Sequence, residues 1–198
     1  MLNHSCQVNR APLSERRDDL YDTPPEAVYA LLRVEGLPQR IWEPACGIGN
    51  IVKVLRDVGY EVIATDLNAR GCPDSMSRVD FLFPLVVPQI EVDCILTNPP
   101  FQLAEQFVVA ALERAPLVVM LLRWAFYESD KRTNILEGAG LARIHCFANR
   151  LPMMHRAGWE GRKANSGMAF AWYIWQRGYV GPTIVDRIRW EPARVRGT

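Results

Sequence analysis

A chain of 198 residues, 49% of them hydrophobic, is long enough to bury one sizeable core and too short for two ordinary domains side by side. The net charge of +1 divides unevenly: residues 1–155 carry 15 basic and 19 acidic side chains, residues 156–198 carry 8 and 3, and 20 of the 23 basic residues are arginine. No apolar run approaches the ~18 residues of a membrane span, so a soluble, cytoplasmic protein is expected; the cysteines (Cys6, Cys46, Cys72, Cys94, Cys146) form no C-x-x-C pair and the histidines stand isolated, which excludes a disulfide framework and predicts no metal.

Residues 1–18 are polar and expected to be flexible, leaving a single domain over 19–198. From there, apolar runs bounded by Gly, Pro, Asn and Asp alternate with amphipathic stretches, the rhythm of β-α-β units around a mainly parallel sheet. Arg40–Ala45 reads as a first strand and Asn50–Val58 as a helix with Ile51, Val52, Val54 and Leu55 inward; Glu61–Asp66 is a second strand. Pro73–Pro88 is irregular. Val92–Thr97 is a strand ended by Asn98-Pro99-Pro100, Gln102–Glu113 a helix, Leu117–Leu122 a buried central strand and Glu128–Leu136 a helix. Ala142–Ala148 and Met168–Gln176 are the last two strands, separated by a long loop over 149–167, and 177–198 is an arginine-rich C-terminal segment.

Three features along this frame carry chemistry. Glu43-Pro44-Ala45-Cys46-Gly47-Ile48-Gly49-Asn50 joins a strand to a helix, and Gly47 and Gly49 let the backbone turn tightly beside a ligand facing the helix start. Asp66 closes the next strand 19 residues after Gly47, where a carboxylate can accept both hydroxyls of a ribose. Thr97-Asn98-Pro99-Pro100-Phe101 follows the Val92–Thr97 strand. Its two prolines make a rigid turn lacking two N–H donors, so the Asn98 side-chain oxygen and the Pro99 carbonyl can accept both protons of one NH₂ group. Phe101 adds a face on which a base can stack.

These residues resemble a family. Glu43–Asn50 is similar to motif I (D-P-A-C-G-S-G) of the amino-methyltransferases, with Glu43 for Asp and Ile48 for Ser, and Asn98–Phe101 matches their catalytic N-P-P-[YF] motif IV. Tyr21-Asp22-Thr23-Pro24-Pro25 resembles motif X, Asp66 with Leu67 motif II, and Asp80-Phe81 motif III. The order X, I, IV is that of the γ-type DNA adenine-N6 methyltransferases, and the resemblance spans residues 21–176. It implies a single-domain, Rossmann-like class I fold: a mainly parallel seven-stranded sheet with an antiparallel last strand and helices on both faces. It also implies S-adenosyl-L-methionine as cofactor, held by Tyr21, Thr23, Pro24, Glu43, Ala45, Cys46, Gly47, Gly49, Asn50, Asp66, Leu67, Asp80, Phe81 and Asn98, with Asp80 meeting the adenine amine and Phe81 covering its ring. Asn98, Pro99, Pro100 and Phe101 are the implied catalytic residues.

The expected partner is nucleic acid, DNA first, and the expected state a monomer or homodimer. Sequence-specific family members carry a separate recognition domain for which this chain has no room, an economy that fits a phage or mobile element. Recognition is expected of Phe101, Trp124, Arg150, Arg156, Trp159, Arg162 and Lys163, arginine and lysine holding phosphates and Trp159 covering a flipped base. RNA adenine, a protein glutamine amide, or a non-catalytic cofactor-binding role within a larger complex are the alternatives.

Overall fold

The computed structural model describes residues 21–83, 90–153 and 167–191. Helix α1 (Pro25–Leu32) starts with proline at its first position, where the absent N–H is not missed, and buries Ala27, Val28, Ala30 and Leu31. Strand β1 (Arg40–Glu43), α2 (Asn50–Asp57) and β2 (Glu61–Asp66) follow the expected pattern. The two-residue β3 (Met76–Ser77) lies within the stretch expected to be irregular. Then come β4 (Cys94–Thr97), α3 (Ala104–Arg114), β5 (Leu117–Arg123), the single turn α4 (Thr133–Leu136), β6 (Leu141–Phe147), β7 (Phe170–Gln176) and β8 (Ile184–Ile188).

The strands form one eight-stranded sheet in the order β3-β2-β1-β4-β5-β7-β6-β8. All pairings are parallel except those of β7, which runs antiparallel between β5 and β6. The expected antiparallel strand is therefore in place, but seven strands are corrected to eight. The eighth, Ile184-Val185-Asp186-Arg187-Ile188, pairs with β6 at the sheet edge. Its charged residues merge it with the arginine-rich segment in the sequence, and only Ile188 is buried.

Period-2 alternation divides the core between two faces. Val118, Met120 and Leu122 of β5 join Tyr173 and Trp175 of β7 against α3, while Val119 and Leu121 join Trp172 and Ile174 against α1 and α2. Such burial on both sides explains the unbroken apolar run of β5. Indole hydrogen bonds fix the layers: Trp172 Nε1 donates to the Ala27 carbonyl of α1 at 3.0 Å, and Trp175 Nε1 to the Ile135 carbonyl of α4 at 2.7 Å.

The helix expected over Glu128–Leu136 is not continuous. Short 3₁₀ turns at Trp124–Phe126 and Asp130–Arg132 precede one turn of α-helix. Only Ile135 and Leu136 of α4 are buried, too few apolar positions to hold a longer helix on the sheet. Among the described residues, no helix is long and apolar enough to cross a membrane, and no three His, Cys, Asp or Glu side chains are grouped to hold a metal ion. Cys46, Cys72, Cys94 and Cys146 are free thiols. The expected flexible segment 1–18 lies outside the described residues, as do most of the 149–167 loop and the chain beyond 191.

Candidate active site

Strands β1, β2, β4, β5 and β6 share one direction, so the loops after them meet at one edge of the sheet, where α/β folds place ligands. A cleft of about 350 Å³ opens there, lined by Tyr21, Pro44, Ala45, Asp66, Leu67, Asn68, Asp80, Leu82, Asn98, Pro100, Leu103 and Phe107 among others. A narrower recess of about 30 Å³ shares Tyr21, Ala45 and Asn98 with it and adds Asp22, Thr23, Glu43, Cys46, Gly47, Ile48 and Asn50. The larger volume lies within the range of small-molecule sites.

The β1–α2 turn is built for close approach. Gly47 (φ 55°) and Gly49 (φ 89°) both adopt left-handed backbone, and a Cβ on Gly49 would stand 2.7 Å from Cys72 Sγ. The Gly47 N–H donates to Asp66 Oδ2 at 2.9 Å. Asp66 Oδ1 accepts from the Asn68 N–H at 2.9 Å and lies 3.4 Å from Arg70 Nε. Asp66 thus ties the glycine turn to the end of β2 while its carboxylate lines the cleft.

Glu43 ends β1 with 1% of its surface exposed, and its Oε2 is buried without a hydrogen-bond partner among the described residues. Burial, reinforced by the charge of Asp66 and opposed only by the Val52 N–H, holds its carboxyl well above the usual carboxylate range. Asp22, at the mouth of the recess, is also pushed up by burial.

At the end of β4, Asn98 Nδ2 donates to the Tyr21 carbonyl and to Thr23 Oγ1, each at 3.0 Å. A carbonyl can only accept, so these bonds fix which end of the amide is which. The consequence is that Oδ1, the acceptor end, is buried and has no partner among the described residues. The expected grouping of Tyr21 and Thr23 with Asn98 is therefore present, across more than seventy residues of chain. Pro24 instead turns the chain into α1, its carbonyl accepting from the Ala27 N–H at 2.9 Å.

Phe101 follows in a 3₁₀ turn, 4.8 Å from the Tyr21 ring and 5.7 Å from that of Phe170. The Arg123 guanidinium lies over its face at 3.9 Å from the ring centroid. The face expected to receive a base is thus covered by a side chain that carries no motif in the sequence. The only hint is its place as the last residue of a buried strand at the ligand edge of the sheet.

Phe81 is among the residues that line the cleft. It is 2% exposed and packs among core rings, 5.1 Å from Trp42 and 5.0 Å from Phe107. Further apolar lining of the cleft comes from Leu67, which is 56% exposed, and from Leu82 and Leu103. Asp80 keeps one carboxylate oxygen on the Leu82 N–H at 3.0 Å. Trp124 packs on the core beside Tyr127, its N–H donating to the Ala169 carbonyl, and does not line the cleft. Arg150 is exposed beyond β6, on the same edge as Asn98; Arg156, Trp159, Arg162 and Lys163 lie outside the described residues.

No protein-family model matches the chain, and no curated protein matches its sequence. Solved structures do match. A Listeria monocytogenes protein, described as a proposed class I S-adenosylmethionine-dependent methyltransferase, aligns with a TM-score of 0.61 at 13% identity over 90% of this chain and 68% of its own. A proposed RNA methyltransferase from Pyrococcus horikoshii aligns at 0.59 and 15% over 86% of this chain and 91% of its own. The modification subunit of a proposed type I restriction enzyme from Vibrio vulnificus aligns at 0.58 and 17% over 88% of this chain but 48% of its own, so the chain spans about half its length. The chain has the Rossmann-like α/β fold of these proteins.

Proposed function

We propose that this chain transfers a methyl group from S-adenosylmethionine to an exocyclic amino nitrogen in nucleic acid, with adenine N6 of DNA as the first choice. The observation that carries this reading is the unpartnered, buried Asn98 Oδ1, fixed by two hydrogen bonds on the other end of the same amide. A buried acceptor left empty is unfavourable unless a ligand fills it, and an amine proton is the partner it fits.

The residues present fit the cofactor. The cleft between Asp66, Leu67 and Leu82 suits a nucleoside, Asp66 accepting from ribose hydroxyls through lone pairs its present bonds leave open. The recess suits the amino-acid end, where the orphaned Glu43 Oε2 meets an ammonium group. When bound, the cofactor supplies an electrophilic methyl group on a cationic sulfur.

Asn98 Oδ1 and the Pro99 carbonyl then each accept one amine proton, which draws the nitrogen lone pair out of conjugation and points it along the line of transfer. Held this way by Asn98 and Pro99, the amine would take the methyl group that the cofactor supplies, and the proton made acidic by methylation would depart to solvent. No strong base is needed. The arginine-rich composition and the exposed Arg150 favour a polyanion over a protein amide as the carrier of the amine. RNA adenine presents the same amine, and the Pyrococcus and Vibrio neighbours, described as acting on RNA and as a restriction-modification subunit, accord with either nucleic acid.

Asn98→Ala is the test. Transfer to nucleic acid should be lost while cofactor affinity stays within a few-fold of wild type; retained transfer would remove Asn98 from the chemistry.

A further inference from the structure

Among the described residues three arginines lie over aromatic rings, and one of them differs from the others. Arg114, over Phe81, also donates to the Ala110 carbonyl, and Arg132, over Phe126, donates to the Phe126 carbonyl and lies 3.6 Å from Glu105. Arg123 has no such support. Its guanidinium sits 3.9 Å from the Phe101 ring centroid, and although the Nε of Arg132 is also buried without an acceptor, among the described residues only Arg123 of the three has neither a side-chain hydrogen bond nor an ion-pair partner.

We infer that Arg123 is a displaceable cover on the base-stacking face of Phe101 and, once displaced, the phosphate anchor of the nucleotide being methylated. The inference rests on the nucleic-acid reading above. A guanidinium is planar and stacks as a base does, so it keeps the Phe101 face covered without bonding to anything that must be broken. The entering base takes the ring face from it. Arg123 then needs an acceptor pair, and a phosphate offers one in the forked geometry that a guanidinium matches. Its backbone stays put: residue 123 is paired with Phe170 across β5 and β7, and its carbonyl accepts from the Tyr173 hydroxyl at 3.4 Å. Only the side chain moves. A substrate that brings base and phosphate together gains from the exchange, whereas a bare nucleoside has to evict the cover with no return contact.

The test sets these two ligands against each other. Affinities for adenosine and for a short adenine-containing oligonucleotide are measured with S-adenosylhomocysteine present, in wild type, Arg123→Ala and Arg123→Lys. Arg123→Ala should bind adenosine several-fold more tightly and the oligonucleotide about tenfold more weakly, with the slope of log affinity against log salt reduced by roughly the value of one phosphate contact. Arg123→Lys should also bind adenosine more tightly, because an ammonium does not cover the ring, yet keep the wild-type salt slope. If Arg123→Ala shifts both ligands in the same direction, or neither, or if Arg123→Lys loses the wild-type salt slope, the inference is overturned. Wild-type methylation of the oligonucleotide in the same samples reads the underlying reaction separately. An inactive wild type removes the substrate reading and this inference with it; an active wild type with parallel shifts removes this inference alone.

Discussion

The buried Glu43 turns cofactor binding into a proton-release reaction. Without a ligand, burial and the nearby charge of Asp66 push the pKa of its carboxyl well above the usual carboxylate range. An ammonium group placed against the orphaned Oε2 favours the carboxylate, so each binding event should expel one proton from Glu43. Below the raised pKa of the free protein, affinity should therefore climb with pH by up to about tenfold per unit, equivalent to ~1.4 kcal/mol per unit. Above it, the climb should flatten. The amino group of the ligand itself titrates near ~8 and pulls the other way, so the comparison must be made with Glu43→Gln, which cannot release the proton. Calorimetric titration of S-adenosylhomocysteine in two buffers of different ionisation enthalpy counts the protons directly. The reasoning also gives a sign for stability. A carboxyl whose folded pKa is raised stabilises the fold below its ordinary range and withdraws that contribution as pH rises through the raised value, so Glu43→Gln should be the more stable protein at neutral pH. Equal proton counts for wild type and Glu43→Gln would refute the placement of an ammonium at Glu43.

Other consequences follow from single contacts. Thr23→Val removes one of the two acceptors that orient Asn98, a hydrogen bond worth about 0.5–1.5 kcal/mol, and should lower kcat roughly 2- to 10-fold with a smaller effect on cofactor affinity; a loss confined to cofactor binding would mean that Thr23 does not act through Asn98. Asp66→Ala releases the Gly47 and Asn68 N–H groups and Arg70 together, and should weaken both cofactor binding and folding by ~1–3 kcal/mol in ligand titration and denaturant unfolding; unchanged affinity would move the nucleoside end elsewhere. Far from the cleft, His145 is buried with both ring nitrogens on carboxylates, Nε2 on Glu35 at 2.7 Å and Nδ1 on Asp186 of β8, and Arg143 also donates to Glu35. Burial alone would lower the His145 pKa, but the two carboxylates more than offset it and raise it; burial would likewise raise that of Glu35, but His145 and Arg143 lower it. Stability from His145 is thus full below its ordinary pKa of about 6.5 and fades as pH rises through the raised value, while that from Glu35 fades as pH falls through its lowered value. Thermal melts of His145→Ala should lack the alkaline decline predicted for wild type; an identical pH profile would show that the cluster does not couple to folding.

The parts of the fold that could be read in the sequence are those where one local pattern suffices. Leu117–Leu122 is apolar on both faces because it is central, and the Gly47–Gly49 turn and Asn98-Pro99-Pro100 carry their constraints in adjacent residues. Elements defined by distant partners were hidden. Helix α1 lies behind a proline pair that reads first as a motif, yet proline at its first position and the Ala27, Val28, Ala30, Leu31 spacing mark it. Strand β8 is held by backbone pairing to β6 and leaves four of its five residues exposed, so no buried face marks it. Adjacency to Asp80 says nothing about which way the Phe81 ring turns; its packing against Trp42 and Phe107 is set by residues distant in the sequence. Arg123 and Phe101 meet across twenty-two residues, a contact no local pattern records.

The central claim is methyl transfer to an amino nitrogen of nucleic acid, and labelled S-adenosylmethionine tests it most directly. The chain is incubated in parallel with single-stranded DNA, duplex DNA, RNA and a protein extract, with Asn98→Ala as the control, and the products are digested to nucleosides and amino acids. The account predicts label in N6-methyladenine, in DNA first, for wild type and none for Asn98→Ala. Label only in protein, or in nucleic acid at a carbon or oxygen, would contradict it.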